Sequence, residues 1–372
     1  MALTLSELLA LRRARGADAL VRTANDKSLE CLSCGHRCRI KPGLDGICRV
    51  RSNVDGELRV PRGYTAGVQV DPIEKKPFFH ALPGNDALSF GMLGCDLHCG
   101  YCQNWVTSQA LRDPVAGSPP RDVSPDELVA LARRESAPVI VSTYNEPLIT
   151  AEWAVEVLSA AKRAGLLGAF VSNGNATPEV LDFIRPYVSL YKVDLKCFDD
   201  RRYRSLGAPL ENILEGIRLV HAKGFWLEVV TLLIPGWNDA ESEIREMARF
   251  LRAISPDIPW HVTGFHDDYR MDSQGDTGAA TLIRAAEIGV EEGLNFVYAG
   301  NRPGQVGAWE DTRCPGCKKT LIRRSSFRVL ECLVGEDGSC PGCARKIPGV
   351  FSHPLARRRA ENAPALPRRI DR

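Results

Sequence analysis

The stretch ALSFGMLGCDLHCGYC, from Ala87 to Cys102, decides the reading of this chain. Its first half is a short apolar run of the kind that forms a buried strand. Its second half carries three cysteines, Cys95, Cys99 and Cys102. A structural zinc closes with four ligands, and a Cys-x3-Cys-x2-Cys loop supplies three. Three thiolates suit an iron–sulfur cubane with one iron left open. An open iron can hold a small molecule, as a catalytic metal keeps an open position. The competing reading is a zinc site completed by His98 or a distant cysteine.

Outward from this loop the chain alternates strand-like and helix-like segments from about residue 86 to 300. Helix starts are marked by Ser124, Pro125 and Glu127 as cap, first position and capping box, and by Thr177 and Pro178. A helix stop is marked by Gly224. Near-continuous apolar strands separated by helices imply a parallel sheet covered by helices. Sites in such folds lie at the C-terminal ends of the strands.

The chain has 372 residues, 25% of them charged, and a formal net charge of +2. No strong field for nucleic acid or acidic membranes follows from that balance. The start MALTLSELLALRRARG is broken by Ser6, Glu7 and Arg12 and does not read as a secretory leader. No run reaches membrane-spanning length. A cytoplasmic protein is expected. The 13 cysteines are an odd number and fall in groups, which suits metal sites better than a disulfide framework.

The expected organisation is an N-terminal cysteine-rich module (1–60), a connecting segment (61–85), an α/β core (86–307), a C-terminal cysteine-rich module (308–353) and a flexible tail (354–372).

The sequence Cys95-Asp-Leu-His-Cys99-Gly-Tyr-Cys102 resembles the signature of the radical S-adenosylmethionine (radical SAM) superfamily. The wider chain is similar to activating enzymes of glycyl-radical enzymes such as pyruvate formate-lyase. More narrowly it resembles the radical SAM enzymes of the AmmeMemoRadiSam system. The resemblance implies a partial parallel (β/α)6-type barrel and a [4Fe–4S] cluster on Cys95, Cys99 and Cys102. It also implies reductive cleavage of S-adenosylmethionine to a 5′-deoxyadenosyl radical that abstracts hydrogen from a substrate. An electron donor such as flavodoxin or ferredoxin, and Memo-like and AMMECR-like functional partners, are further implications, with neither membrane nor nucleic acid involved.

Several strand ends carry polar residues. In STYNEP, Asn145 and Glu146 stand where the superfamily grips the methionyl amine, and Tyr101 stands where it packs near the adenine. Helix capping is the alternative for Glu146. In SNGN, Ser172 and Asn173 offer groups for carboxylate or ribose, or form a plain Asn-Gly turn. Asp194 and Lys196 share one strand face with Lys192. Unpaired buried charge is costly, and the resemblance places the Asp-x-Lys pair in the active site; an ion pair within the barrel is the alternative. His261 and His266 flank VTGF; the resemblance implies a histidine near the cofactor or substrate here, and His266, at the strand end, is the expected catalytic one, with neutral packing or a surface position the alternative for both. Lys75, Lys76 and His80 either close one side of the cavity or lie in a solvated linker.

Two outer groups remain. Cys31, Cys34, Cys38 and Cys48 supply four thiolates for zinc or an auxiliary iron–sulfur cluster. Cys314, Cys317, Cys340 and Cys343 resemble a zinc ribbon, with Cys332 as a fifth candidate ligand. The sequence leaves three functions open: a radical SAM oxidoreductase of unidentified substrate, a glycyl-radical activase, and a non-enzymatic multi-zinc scaffold.

Overall fold

The computed structural model describes residues 4–356 and 368–369. Its centre is one sheet whose spatial order follows the sequence: β1 (Gly67–Pro72), β2 (Asp86–Gly91), β3 (Val139–Ser142), β4 (Leu167–Ser172), β5 (Leu190–Asp194), β6 (Trp226–Leu233), β7 (Trp260–Gly264) and β8 (Val297–Gly300). β1 runs antiparallel to β2, and β2 through β8 are parallel. Six strand–helix units, from β2 with its following helix through β7, match the expected (β/α)6-type partial barrel, and β8 adds a seventh parallel strand. Among the described residues no ladder joins β8 back to β2.

The connections are α1 (Pro125–Arg134), α2 (Ala151–Arg163), α3 (Pro178–Ile184), α4 (Leu210–Ala222), α5 (Glu241–Ile254) and α6 (Ala279–Glu291). The sequence signals act as read. Ser124 accepts the Glu127 N–H while Glu127 reaches back to the cap backbone, with Pro125 at the first position. Thr177 caps α3 with Pro178 behind it. Gly224 takes φ 74° just past α4, a conformation that favours glycine. Strands buried on both faces, such as VIVS in β3, are apolar throughout because helices cover one side and the barrel interior the other.

The ends of the chain flank this sheet. Antiparallel ribbons at Val21–Thr23, Leu29–Cys31 and Arg39–Ile40, and at Arg13–Arg15, Glu57–Pro61 and Ser52–Val54, lie in the N-terminal region. A third ribbon, Thr312–Arg313, Thr320–Ser325 and Arg328–Cys332, follows β8. The expected flexible tail falls largely outside the described residues, although Arg368 and Arg369 pair with Val70 and Gln69 of β1. Among the described residues no helix is long and apolar enough to cross a membrane.

A hydrogen-bond chain ties β8 to the segment before β2. His80 faces the Pro348 carbonyl at 2.7 Å through Nδ1, so that nitrogen carries the proton. Its Nε2 then accepts from the Tyr298 hydroxyl at 2.6 Å. Tyr298 in turn accepts from Thr312 at 2.8 Å, and Thr312 accepts from Arg324 at 2.8 Å. His80 thus fits neither reading of its stretch, being fully buried as a structural link and absent from the cavity wall, whereas Lys75 and Lys76 do line the cavity.

Candidate active site

A cavity of about 460 Å³ opens over the C-terminal ends of the parallel strands. Cys95, Cys99 and Cys102 form part of its wall. Gly91, at the end of β2, sets up the loop: a Cβ there would stand 2.4 Å from the Thr143 carbonyl, so only glycine allows β2 and the β3 loop to approach so closely. The three thiols form no disulfide. Cys95 Sγ accepts the Leu97 N–H at 3.4 Å, and Cys102 Sγ lies 3.1 Å from the Ser108 hydroxyl. Burial pushes the Cys99 thiol up to about 11 and the Cys95 thiol well above its ordinary value. Binding a metal through these thiols must therefore release protons.

These sulfurs fit a cluster better than a lone zinc. They are not gathered within 4.8 Å of one another. His98, the alternative fourth ligand, does not line the cavity; its ring packs against Gly207. The volume lies within the usual range for small-molecule sites.

The strand-end residues named from sequence line the same cavity and are already interlocked. Glu146 accepts from Ser172 Oγ at 2.7 Å, Asn173 N at 2.7 Å and Leu148 N at 3.1 Å. Burial, then the neighbouring Asp96, raises its carboxyl to about 8. Asn145 is spent on structure, accepting from Met92 N and donating to the Glu146 carbonyl. Tyr101 packs edge-on to Trp237, and its buried hydroxyl has no hydrogen-bond partner among the described residues.

Asp96 is the residue that sequence reasoning missed. Fully buried, it accepts from Asn173 Nδ2 at 2.7 Å and Asn175 Nδ2 at 2.8 Å, with His36 Nε2 at 3.7 Å. Its signal was an acidic residue directly after the first loop cysteine, matched by the two amides of SNGN. The SNGN turn is therefore not a plain turn; it holds the cysteine loop in place.

The opposite wall is charged. Lys192 pairs with Asp194 at 2.5 Å, and Lys196 lies 3.7 Å from the other carboxylate oxygen. Burial opposes ionisation of Asp194, but the two lysines outweigh it and hold its carboxyl below the ordinary range. Lys76 reaches Asp71 at 2.6 Å and Tyr144 Oη at 3.2 Å, and burial lowers its amine to about 8. His261 lines the cavity, with Nε2 2.7 Å from a Glu228 oxygen. A carboxylate only accepts, so a neutral His261 keeps its lone pair on Nδ1. Glu228 also accepts from the backbone N–H groups of Phe79 and His80. It was not anticipated, although a lone acid inside the apolar WLEVVTLL was its signal.

His266 does not join this wall. It is exposed and meets Gln103 at 3.0 Å. β7 ends at Gly264, two residues short of it, while strand alternation turns His261 and Thr263 inward.

Residues 91–251 match the radical SAM superfamily. An uncharacterised protein of Methanocaldococcus jannaschii is 34% identical over 326 residues, covering 87% of this chain and 96% of that protein. The chain belongs to the radical SAM superfamily. The isethionate sulfite-lyase activating enzyme of Oleidesulfovibrio alaskensis is 27% identical over 211 residues, 53% of this chain and 66% of that enzyme. A crystal structure of a domain of pyruvate-formate lyase-activating enzyme from Bacteroides vulgatus is 23% identical, with a TM-score of 0.37, over 43% of this chain and 98% of that one.

This radical SAM enzyme also has, away from the cavity, a group of cysteines that could hold a metal ion. Cys314, Cys317, Cys340 and Cys343 gather their sulfurs within 4.8 Å, with 3.5 Å between Cys314 and Cys343 and 3.6 Å between Cys317 and Cys340. Cys332 is not part of the group. It ends a strand of the ribbon, exposed and opposite Ile322, which corrects its expected role as a ligand.

Proposed function

We propose that the cavity is the active site of a hydrogen-abstracting radical SAM enzyme, with Cys95, Cys99 and Cys102 holding the cluster. One observation carries this reading: three free cysteines share a cavity with the Glu146–Ser172–Asn173 cradle and the Lys192–Asp194–Lys196 cluster. When bound, a [4Fe–4S] cluster with one uncapped iron and S-adenosylmethionine supply a 5′-deoxyadenosyl radical, formed by one-electron reduction.

The chain's own residues orient and shield. Glu146 and the Ser172–Asn173 turn receive the methionyl end of the cofactor. Asp194, fixed between two lysines, meets the ribose or the substrate. Tyr101 closes the cavity beside the third cysteine and keeps water out. His261 presents an acceptor nitrogen to the substrate, held by Glu228, and takes the catalytic place first expected of His266. The electron comes from a low-potential carrier such as flavodoxin or ferredoxin.

A second reading, activation of a glycyl-radical enzyme, is favoured by the activating-enzyme relatives. The test is anaerobic reduction of cluster-loaded protein with S-adenosylmethionine. 5′-Deoxyadenosine is the expected product, and its absence at full cluster loading overturns both readings. Deuterium carried into that product from a labelled protein partner rather than a labelled metabolite pool selects the activase.

A further inference from the structure

The N-terminal cysteines raise a question of size. A tetrahedral zinc with sulfurs at about 2.3 Å draws each pair to about 3.8 Å. The C-terminal four have that packing. Among the described residues theirs is the one group of ligand atoms gathered within 4.8 Å. Cys31, Cys34, Cys38 and Cys48 stand around one another all the same. The Cys31 N–H donates to the Cys38 carbonyl at 2.9 Å and the two pack in one apolar cluster, while charge on Cys31 or Cys48 is felt at Cys34. Yet no three of them reach the zinc packing.

Burial raises the thiols of Cys34, Cys38 and Cys48, so thiolates here depend on the donors and positive charge set around them. The backbone N–H groups of His36, Ile47 and Val50 face the sulfurs of Cys34, Cys38 and Cys48. Arg51 Nε donates to Cys31 Sγ at 3.2 Å. That arginine is 1% exposed and is pinned by Glu152 at 2.6 and 2.8 Å, so its charge is fixed against the sulfurs. His36 adds a buried Nε2 with no hydrogen-bond partner among the described residues. Donors of this kind tune iron–sulfur clusters.

We infer that Cys31, Cys34, Cys38 and Cys48 hold a second iron–sulfur cubane, each sulfur on its own iron and no iron left open. A cube spreads its thiolates wider than a single ion does, which agrees with four cysteines of which no three gather within 4.8 Å. The second cluster sits close behind the first. Cys34 and Cys95 both neighbour the buried Asp96 carboxylate. Gly94 (φ 94°) lies against the Cys48 carbonyl, where a Cβ would come within 3.3 Å. The Gly35 N–H donates to the Asn175 carbonyl at 2.9 Å, and Asn175 donates to Asp96.

The test is iron, sulfide and zinc per chain in anaerobically purified holoenzyme. The expected content is about eight iron and one zinc; about four iron and two zinc overturns the inference, as does about four iron with one zinc. A variant with Cys95, Cys99 and Cys102 all changed to Ala should keep about four iron and its brown colour, and a colourless, folded variant counts against the site. A separate readout distinguishes this from the proposed function. The electron paramagnetic resonance signal of that variant, once reduced, should not move when S-adenosylmethionine is added, because no iron is open. A signal that shifts with the cofactor defeats the fully ligated assignment, whether or not the intact enzyme cleaves it.

Discussion

The C-terminal cysteine knot and the Cys95–Cys102 loop use the same ligand atom to opposite ends. The knot gathers four sulfurs to zinc packing, with Cys317 and Cys343 exposed. The loop keeps three sulfurs apart and half or fully buried, on the wall of a cavity with charged residues opposite. The comparison shows that one kind of ligand atom stands in two different surroundings, a closed group and an open cavity wall. A closed set staples a small ribbon, whereas an incomplete set beside a cavity leaves room for chemistry.

The sharpest way to break the contrast is to remove one sulfur from each. Cys99→Ala should abolish S-adenosylmethionine cleavage outright and strip the colour of that site. Cys317→Ser should lose zinc and lower the melting temperature while leaving that colour intact. Metal analysis with a cleavage assay checks both, and retained cleavage in Cys99→Ala would defeat the assignment.

Asp96→Ala should come next in size. It strands two buried amides at once and costs about 3 kcal/mol of stability in denaturant melts, with weaker cluster retention as the loop loosens. No comparable carboxylate is expected to matter in the knot.

A pH effect follows from His80. Burial lowers its pKa from the ordinary 6.5 to about 4. Below pH 6.5 the unfolded chain takes up a proton that the folded chain refuses, so stability falls between pH 6.5 and 4. At pH 5 the loss is about 2 kcal/mol, and His80→Gln should flatten that dependence. The smallest effect is expected at Arg284, which bridges exposed Glu241 and Glu291. Arg284→Ala should leave the melting temperature unchanged within error, since solvent screens such pairs.

Much of the fold was legible because its punctuation is local. Caps at Ser124 and Thr177 and the stop at Gly224 lie within a few residues of what they govern. The cavity was legible through residues placed directly at strand ends, Glu146, Asp194 and Lys196. What failed depended on where a strand stops. His266 looked like the strand-end histidine, but β7 ends before it, and pleat alternation gives the inward place to His261. Asp96 and Glu228 were invisible for another reason. Their partners, SNGN and the Phe79–His80 backbone, lie 77 and 148–149 residues away in the chain. Cys332 misled because motif spacing says nothing about which way a ribbon residue points.

The side-chain relay from Arg324 through Thr312 and Tyr298 to His80 crosses the seam that, among the described residues, the sheet leaves unladdered. A barrel closed by strands has a fixed girth, because changing it means breaking a row of backbone bonds together. Here the gap is held by that relay, by the packing of Phe79, Tyr298 and Ile322, and by backbone bonds that Val350 makes to His80 and Leu82, with the ribbon after β8 lying across it.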